Sequence, residues 1–298
     1  VLDYAVIFGH LGFPRWGIAG AAWATVAASV FTMIVFAILV LQKEYRLQYH
    51  TVSSWRFDGE LFMRMMRFGV PSGMQFMLDV IGWLMFLTFI GRINTLSLTA
   101  TAIAFQINTL AFMPMIGFST AVSTLVGRYL GADKPELAAR STWSATYMTM
   151  VYMAEIAAGY WLVPDVFIWP FAANADAAQF AAVRPMVVNL LLFVGFYCLF
   201  DTGNLIFSAA VKGAGDTRFV MFMSVAFSWV VLIIPSYLAI CFVEGVRGLY
   251  CAWAAATAYV CLLAVVFMLR FIAGKWKTMR VFEVSPRTVA VAPIPTGE

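Results

Sequence analysis

The chain has 298 residues, of which 63% are hydrophobic and only 11% charged, with a mean hydropathy of +0.87. A water-soluble domain of this length could not clothe its surface with so few charges, so the composition excludes a soluble globular protein and points to membrane-spanning helices. The net charge of +4 is spread along the chain with no clustered basic stripe, which removes nucleic acid as a partner and leaves the lipid bilayer.

Charge-poor stretches of the roughly 20 residues that a spanning helix needs cover residues 16–42, 68–91, 98–126, 141–163, 185–211, 219–243 and 248–269. They predict an all-α integral membrane protein with seven transmembrane helices. If the first runs from outside to inside, fifteen of the 19 Lys and Arg fall in inner segments, and only Arg15, Arg92, Arg184 and Arg247 remain outside. The positive-inside rule then puts the C-terminus in the cytoplasm of a cell membrane, plasma or bacterial inner.

The opening segment is an outer loop leading into a helix rich in small residues, a composition that lets membrane helices approach closely. Residues 17–30, GIAGAAWATVAASV, are echoed by residues 248–260, GLYCAWAAATAYV, 231 positions later, and Tyr4 is answered by Tyr237. Both stretches run in the same direction, as the same helix of two parallel repeats would. The expected organisation is therefore the end of a first lobe (1–42), a cytoplasmic connector (43–67), a complete six-helix second lobe (68–272) and a cytoplasmic tail (273–298). Five helices of the first lobe, and with them the facing N-terminal wall, are expected to be missing, which the Val1 start also suggests. Within the connector, Asp58 can cap a short helix whose Leu61, Phe62, Met65 and Met66 oppose Arg64 and Arg67.

The second span, FGVPSGMQFMLDVIGWLMFLTFIG, carries one carboxylate, Asp79, twelve residues past Arg67. At the helical rise that is about 18 Å in, near the middle of the hydrocarbon layer. Ser72, Gln75, Gly82 and Phe86 share its face, a polar and small-residue stripe that reads as a cavity wall. The third span runs Gln106, Thr109, Met113, Gly117, Thr120 and Thr124 down one face, with Pro114 expected to kink it. In the fourth, Glu155 lies fifteen residues past Arg140, nearer the outer edge and a secondary candidate.

The fifth span repeats the situation of the second, since Asp201 precedes Lys212 by eleven residues, or about 16 Å. Tyr197, Asp201, Asn204 and Ser208 form a second polar stripe at spacings of four, three and four. Intramembrane carboxylates cost at least about 2.5–3.5 kcal/mol on insertion scales and mark ion paths or proton relays. The two stripes can face each other across a cavity. Cys198, Cys241, Cys251 and Cys261 have no metal-ligand spacing, and only Cys241 and Cys251 are placed where they could pair. The cytoplasmic turn KGAGDTR (212–218) leads into a sixth span that holds Pro235 but no charge.

Three rival readings are weaker. A seven-helix receptor would carry Asp-Arg-Tyr after its third span and Asn-Pro-x-x-Tyr in its seventh, and neither is present. An intramembrane aspartyl protease could use Asp79 and Asp201 as a dyad, and Gly213-Ala214-Gly215-Asp216 resembles its Gly-x-Gly-Asp, but Asp216 falls in the charged cytoplasmic turn. A lipid-linked oligosaccharide flippase of similar helix plan would favour basic residues in a cavity that here is acidic.

Three local patterns resemble the multidrug and toxic compound extrusion (MATE) family of secondary transporters. They are Gly69, Pro71 and Asp79; the run Gln106, Pro114, Gly117, Ala121, Leu125-Val126-Gly127 and Leu130-Gly131-Ala132; and the Lys212–Thr217 turn. The resemblance implies a twelve-helix protein of two six-helix lobes, with residues 4–42 matching the end of the first and residue 64 onward the second. It implies an antiporter, not an enzyme, that needs no cofactor and exports organic cations in exchange for H⁺ or Na⁺. The NorM-like branch carries acids in the first and fourth helices of the second lobe, positions that fall on Asp79 and Asp201, with Tyr197 matching a cation-site aromatic. Gln75, Gln106, Thr109, Asn204 and Ser208 are then the cavity-lining candidates. The first acid is commonly Glu in that branch, so Asp79 is shorter by a methylene.

Overall fold

The computed structural model describes residues 2–8, 16–42, 57–172 and 177–279, and every regular element among them is helical. The 43–56 part of the predicted connector and the tail beyond residue 279 lie outside the described residues. The chain divides into two compact units, residues 1–63 and 64–298. In the first, α1 (Leu2–Phe8) meets α2 (Gly17–Leu41), and the Trp16 N–H donates to the Val6 carbonyl at 3.2 Å. Gly20 makes that approach possible, since a Cβ there would lie 2.9 Å from Val6 Cγ1. The hydroxyls of Thr25, Ser29 and Thr32 are returned to carbonyls one turn back, which lets polar residues sit on a helix in lipid.

Helix α3 (Gly59–Ile93) begins where the sequence predicts, with Asp58 Oδ1 accepting from the N–H groups of Glu60 and Leu61 at 2.9 and 3.1 Å. It does not stop at Arg67. The expected connector helix and the second span are one helix, because residues 61–67 (LFMRMMR) contain only helix formers and no breaker. Pro71 sits inside it, as membrane helices tolerate.

The second unit continues with α4 (Thr95–Gly131), α5 (Pro135–Leu162), α6 (Pro164–Ala172), α7 (Ala177–Gly213), α8 (Thr217–Phe227), a π-helical stretch Ser228–Ile233, α9 (Ile234–Phe242), α10 (Val246–Ile272) and a 3₁₀ turn Lys275–Thr278. Among the described residues six helices are long and apolar enough to span a membrane, or seven if α5 and α6, bent by 71°, form one span. Helix α4 runs through Pro114 unbroken. The sixth span departs from the regular helix drawn from the sequence, since the Ile234 N–H bonds five residues back to Trp229. Pro235 offers no N–H to the residue four positions before it, and the turn ahead of it widens.

Helix α7 is the hub, packed against α4, α5 and α10. With lipid outside there is no hydrophobic drive between helices, so close packing through small residues does the work. At the end of α7, Gly213 lies against the backbone of Ser123 on α4, where a Cβ would overlap the Ser123 carbonyl. The same end is tied to α10, because Nε and Nη2 of Arg270 both donate to Asp216 Oδ2, at 2.9 and 2.6 Å. The guanidinium also covers the Phe219 ring at 4.4 Å. Asp216 is thus spent on an ion pair, which is what the Gly-x-Gly-Asp turn does here.

Candidate functional site

Three helices meet around Asp79. Gln75, one turn earlier on α3 and only 7% exposed, donates its Nε2 to Ser224 Oγ of α8 at 3.0 Å and to Asp79 Oδ2 at 3.3 Å. The Tyr259 hydroxyl of α10 is within reach of the same carboxylate. One turn further along α3, Trp83 packs with Phe86, Phe105 and Trp253 in a cluster of edge-on and tilted rings, centroids 5.2–6.2 Å apart. Two acceptors remain orphaned, Asp79 Oδ1 and Gln75 Oε1, both buried and without a donor among the described residues. Such atoms are costly unless something supplies positive charge or a proton.

Asp201 of α7 is 7% exposed and accepts from Asn204 Nδ2 at 2.9 Å. One turn earlier, the Tyr197 hydroxyl accepts from Asn108 Nδ2 of α4 at 3.0 Å, while Cys198 Sγ donates to Asn108 Oδ1 at 3.2 Å. Tyr259 stands close enough to feel the charge of both acids, Asp79 and Asp201. The charge of Lys212 also acts on Asp79.

The predicted residues therefore separate into groups. Gln75 joins Asp79, and Asn204 and Tyr197 join Asp201. Ser208 is buried and ties its hydroxyl to its own helix at Leu205 O, 3.1 Å. Gln106 and Thr109 stand on the exposed face of α4 with Met113, Gly117, Thr120 and Thr124, and join neither cluster. Glu155 is exposed on α5 and joins neither cluster. Asn108, Ser224 and Tyr259 are the members that sequence spacing did not single out. Among the described residues no three His, Cys, Asp or Glu side chains gather as around a divalent metal. The available ligands, one carboxylate and neutral oxygens at each cluster, suit a proton or a monovalent cation.

The family model described as MatE matches residues 71–238. The chain belongs to the MatE family. Its relatives include proteins called probable multidrug resistance protein NorM from Brucella suis, 29% identical over 91% of this chain, and from Thermotoga maritima, 26% identical over 93%. The MatE chain spans about 58% and 57% of those two relatives. An outward-facing multidrug resistance MATE transporter of the MOP superfamily superposes with a TM-score of 0.79 at 19% identity, covering 92% of this chain and 60% of the other. The eukaryotic MATE transporter AtDTX14 gives 0.77 at 20% identity, covering 93% and 59%. The MatE chain is thus an integral membrane protein with the helical fold of these transporters.

Proposed function

We propose that the chain is the greater part of a secondary multidrug efflux antiporter, and not an enzyme, in which Asp79 and Asp201 bind H⁺ or Na⁺ in exchange for organic cations leaving the cell. The observation that carries this reading is the orphaned pair at Asp79. One proton on the carboxylate supplies a donor where two acceptors have none, and a bare monovalent cation can be coordinated by both oxygens at once. Either ion gains from entering down the membrane potential, about 2.3 kcal/mol per 100 mV for each charge. The relatives named as multidrug resistance proteins support the efflux direction, and the exposed polar stripe on α4 offers a wall for the exported molecule. Lipophilic cations suit it, attracted by carboxylates and by aromatic faces.

The test is dye efflux from vesicles holding the complete transporter, driven by a Na⁺ gradient alone and then by a proton gradient alone. Asp79→Asn and Asp201→Asn should each abolish efflux under the gradient that works. Unchanged efflux in both would overturn the assignment. The same protein without native cysteines, carrying one at Lys134 or at Glu244, should label with an impermeant thiol reagent on whole cells only at the second position, as the positive-inside orientation requires.

A further inference from the structure

Helices α4 and α5 leave an open groove of about 440 Å³ between them, distinct from both acid clusters. Its walls are apolar over most of their length, with Phe118, Ala121 and Leu125 on α4 and Met148 on α5. At one level it is not apolar. Arg140, Ser141 and Ser144 line it together on α5. Arg140 has no ion pair or side-chain hydrogen bond to any described residue. The two serine hydroxyls are likewise without a described partner, whereas Thr142, Thr146 and Thr149 on the packed face of the same helix return theirs to carbonyls one turn back at 2.9, 2.9 and 2.7 Å. A guanidinium and two hydroxyls without partners on a membrane helix are expensive unless something answers them. No carboxylate lines the groove, Glu136 one turn before Arg140 standing outside it, so an anion entering from outside would meet three donors and no repelling charge on its walls.

The depth of the set identifies the source of that anion. Arg140 is five residues past Pro135 at the start of α5, roughly 8 Å along the axis, and Met148 lies about 12 Å deeper. The donors therefore stand near headgroup level at the end of the bundle that also carries Arg128 and Lys134, while the apolar walls continue into the acyl layer. The groove is also turned about 120° around α4, at 100° per residue, from the stripe Gln106–Thr109–Met113–Gly117, so it does not belong to that wall. We propose that the groove binds one anionic glycerophospholipid, its phosphate on Arg140 with the Ser141 and Ser144 hydroxyls, and an acyl chain along Phe118, Ala121 and Met148. A phosphate ion would use the same donors but leave the apolar length empty, and basic pockets between membrane helices are where anionic headgroups settle.

Native mass spectrometry of the protein in neutral detergent, titrated with phosphatidylglycerol, phosphatidylcholine or inorganic phosphate, tests this without reference to transport. One phosphatidylglycerol should be retained per chain in preference to phosphatidylcholine, and inorganic phosphate should not displace it. Arg140→Gln should lower that retention about fivefold, while Lys134→Gln, which removes the same charge outside the groove, should leave it unchanged. Ala121→Trp, which fills the floor and spares the charge, should also lower it, and a thermal melt of each variant separates lost lipid from lost fold. Equal retention of the two lipids, indifference to Arg140→Gln, or displacement by inorganic phosphate would each overturn the proposal. Failure of the efflux reading would leave these binding results where they are.

Discussion

The amide of Gln75 serves two acceptors with one nitrogen, Ser224 Oγ at 3.0 Å and Asp79 Oδ2 at 3.3 Å, while its own oxygen has no donor. The two bonds differ in weight. A hydrogen bond to a charged group contributes about 1.5–3 kcal/mol, whereas a polar contact between membrane helices averages about 0.6 kcal/mol. Gln75→Leu should therefore cut ion-driven efflux about tenfold or more while leaving dye binding within about threefold, and Ser224→Ala should cost less than about threefold in either. Paired efflux and binding assays check this, and a Ser224→Ala effect as large as that of Gln75→Leu would contradict it. Asp79 and Asp201 were legible in the sequence from depth alone, and Gln75 and Asn204 from their helical spacing to the acids. Ser224 and Tyr259 were not, because each comes from another helix and a serine or tyrosine in an apolar run is unremarkable. Asn108 escapes the helical spacing for a different reason. The stripe through Gln106 and Thr109 is the exposed face of α4, and Asn108, two positions from Gln106, turns toward Tyr197 instead.

Helices are held together here at glycines, and two of them make opposite predictions. A Cβ at Gly82 would lie 2.6 Å from Ser228 Oγ, at the start of the π-helical stretch. A hydroxyl can rotate away. At Gly213 the obstacle is the backbone of Ser123, which cannot move without shifting α4 from α7. Gly213→Ala should destabilise the protein by about 1–3 kcal/mol, the usual cost of overpacking, and Gly82→Ala by clearly less, with Ser228→Ala relieving what remains. Thermal melts of the purified variants give the order, and Gly82→Ala proving the more harmful would reverse it. Composition and charge marked the span centres well, because about 20 apolar residues have few alternatives to a membrane helix. They did not mark that the helix capped by Asp58 runs on into the second span, since its amphipathic first turns and its apolar span share one unbroken ladder. The π-helical stretch was also out of reach, because Pro235 announces a disturbance but not which carbonyls will re-pair.

For the whole molecule, the repeat of residues 17–30 at 248–260 and the 58% span of the Brucella suis relative are the grounds on which we propose a two-lobed transporter of which this chain would hold one lobe and the last helix of the other. Transporters built from parallel repeats bind substrate at the repeat interface and alternate access by rocking one half against the other. One lobe alone gives a cavity wall with no opposite side. The Asp79 cluster draws on helices α3, α8 and α10 and the Asp201 cluster on α4 and α7, all within residues 59–272, so the proposed ion binding calls on no residue outside this chain, whereas the proposed coupling does. The chain expressed by itself should insert and protect its ion site, measured as Na⁺- or proton-dependent quenching of tryptophan fluorescence from Trp83, which stands one turn from Asp79. It should carry out no gradient-driven dye efflux. Co-expression with the five-helix segment of a longer relative should restore efflux, and only when Asp79 and Asp201 are intact. Efflux by the 298-residue chain as a monomer would defeat the two-lobe reading, and efflux by a dimer of it would mean that two copies of this lobe supply both walls.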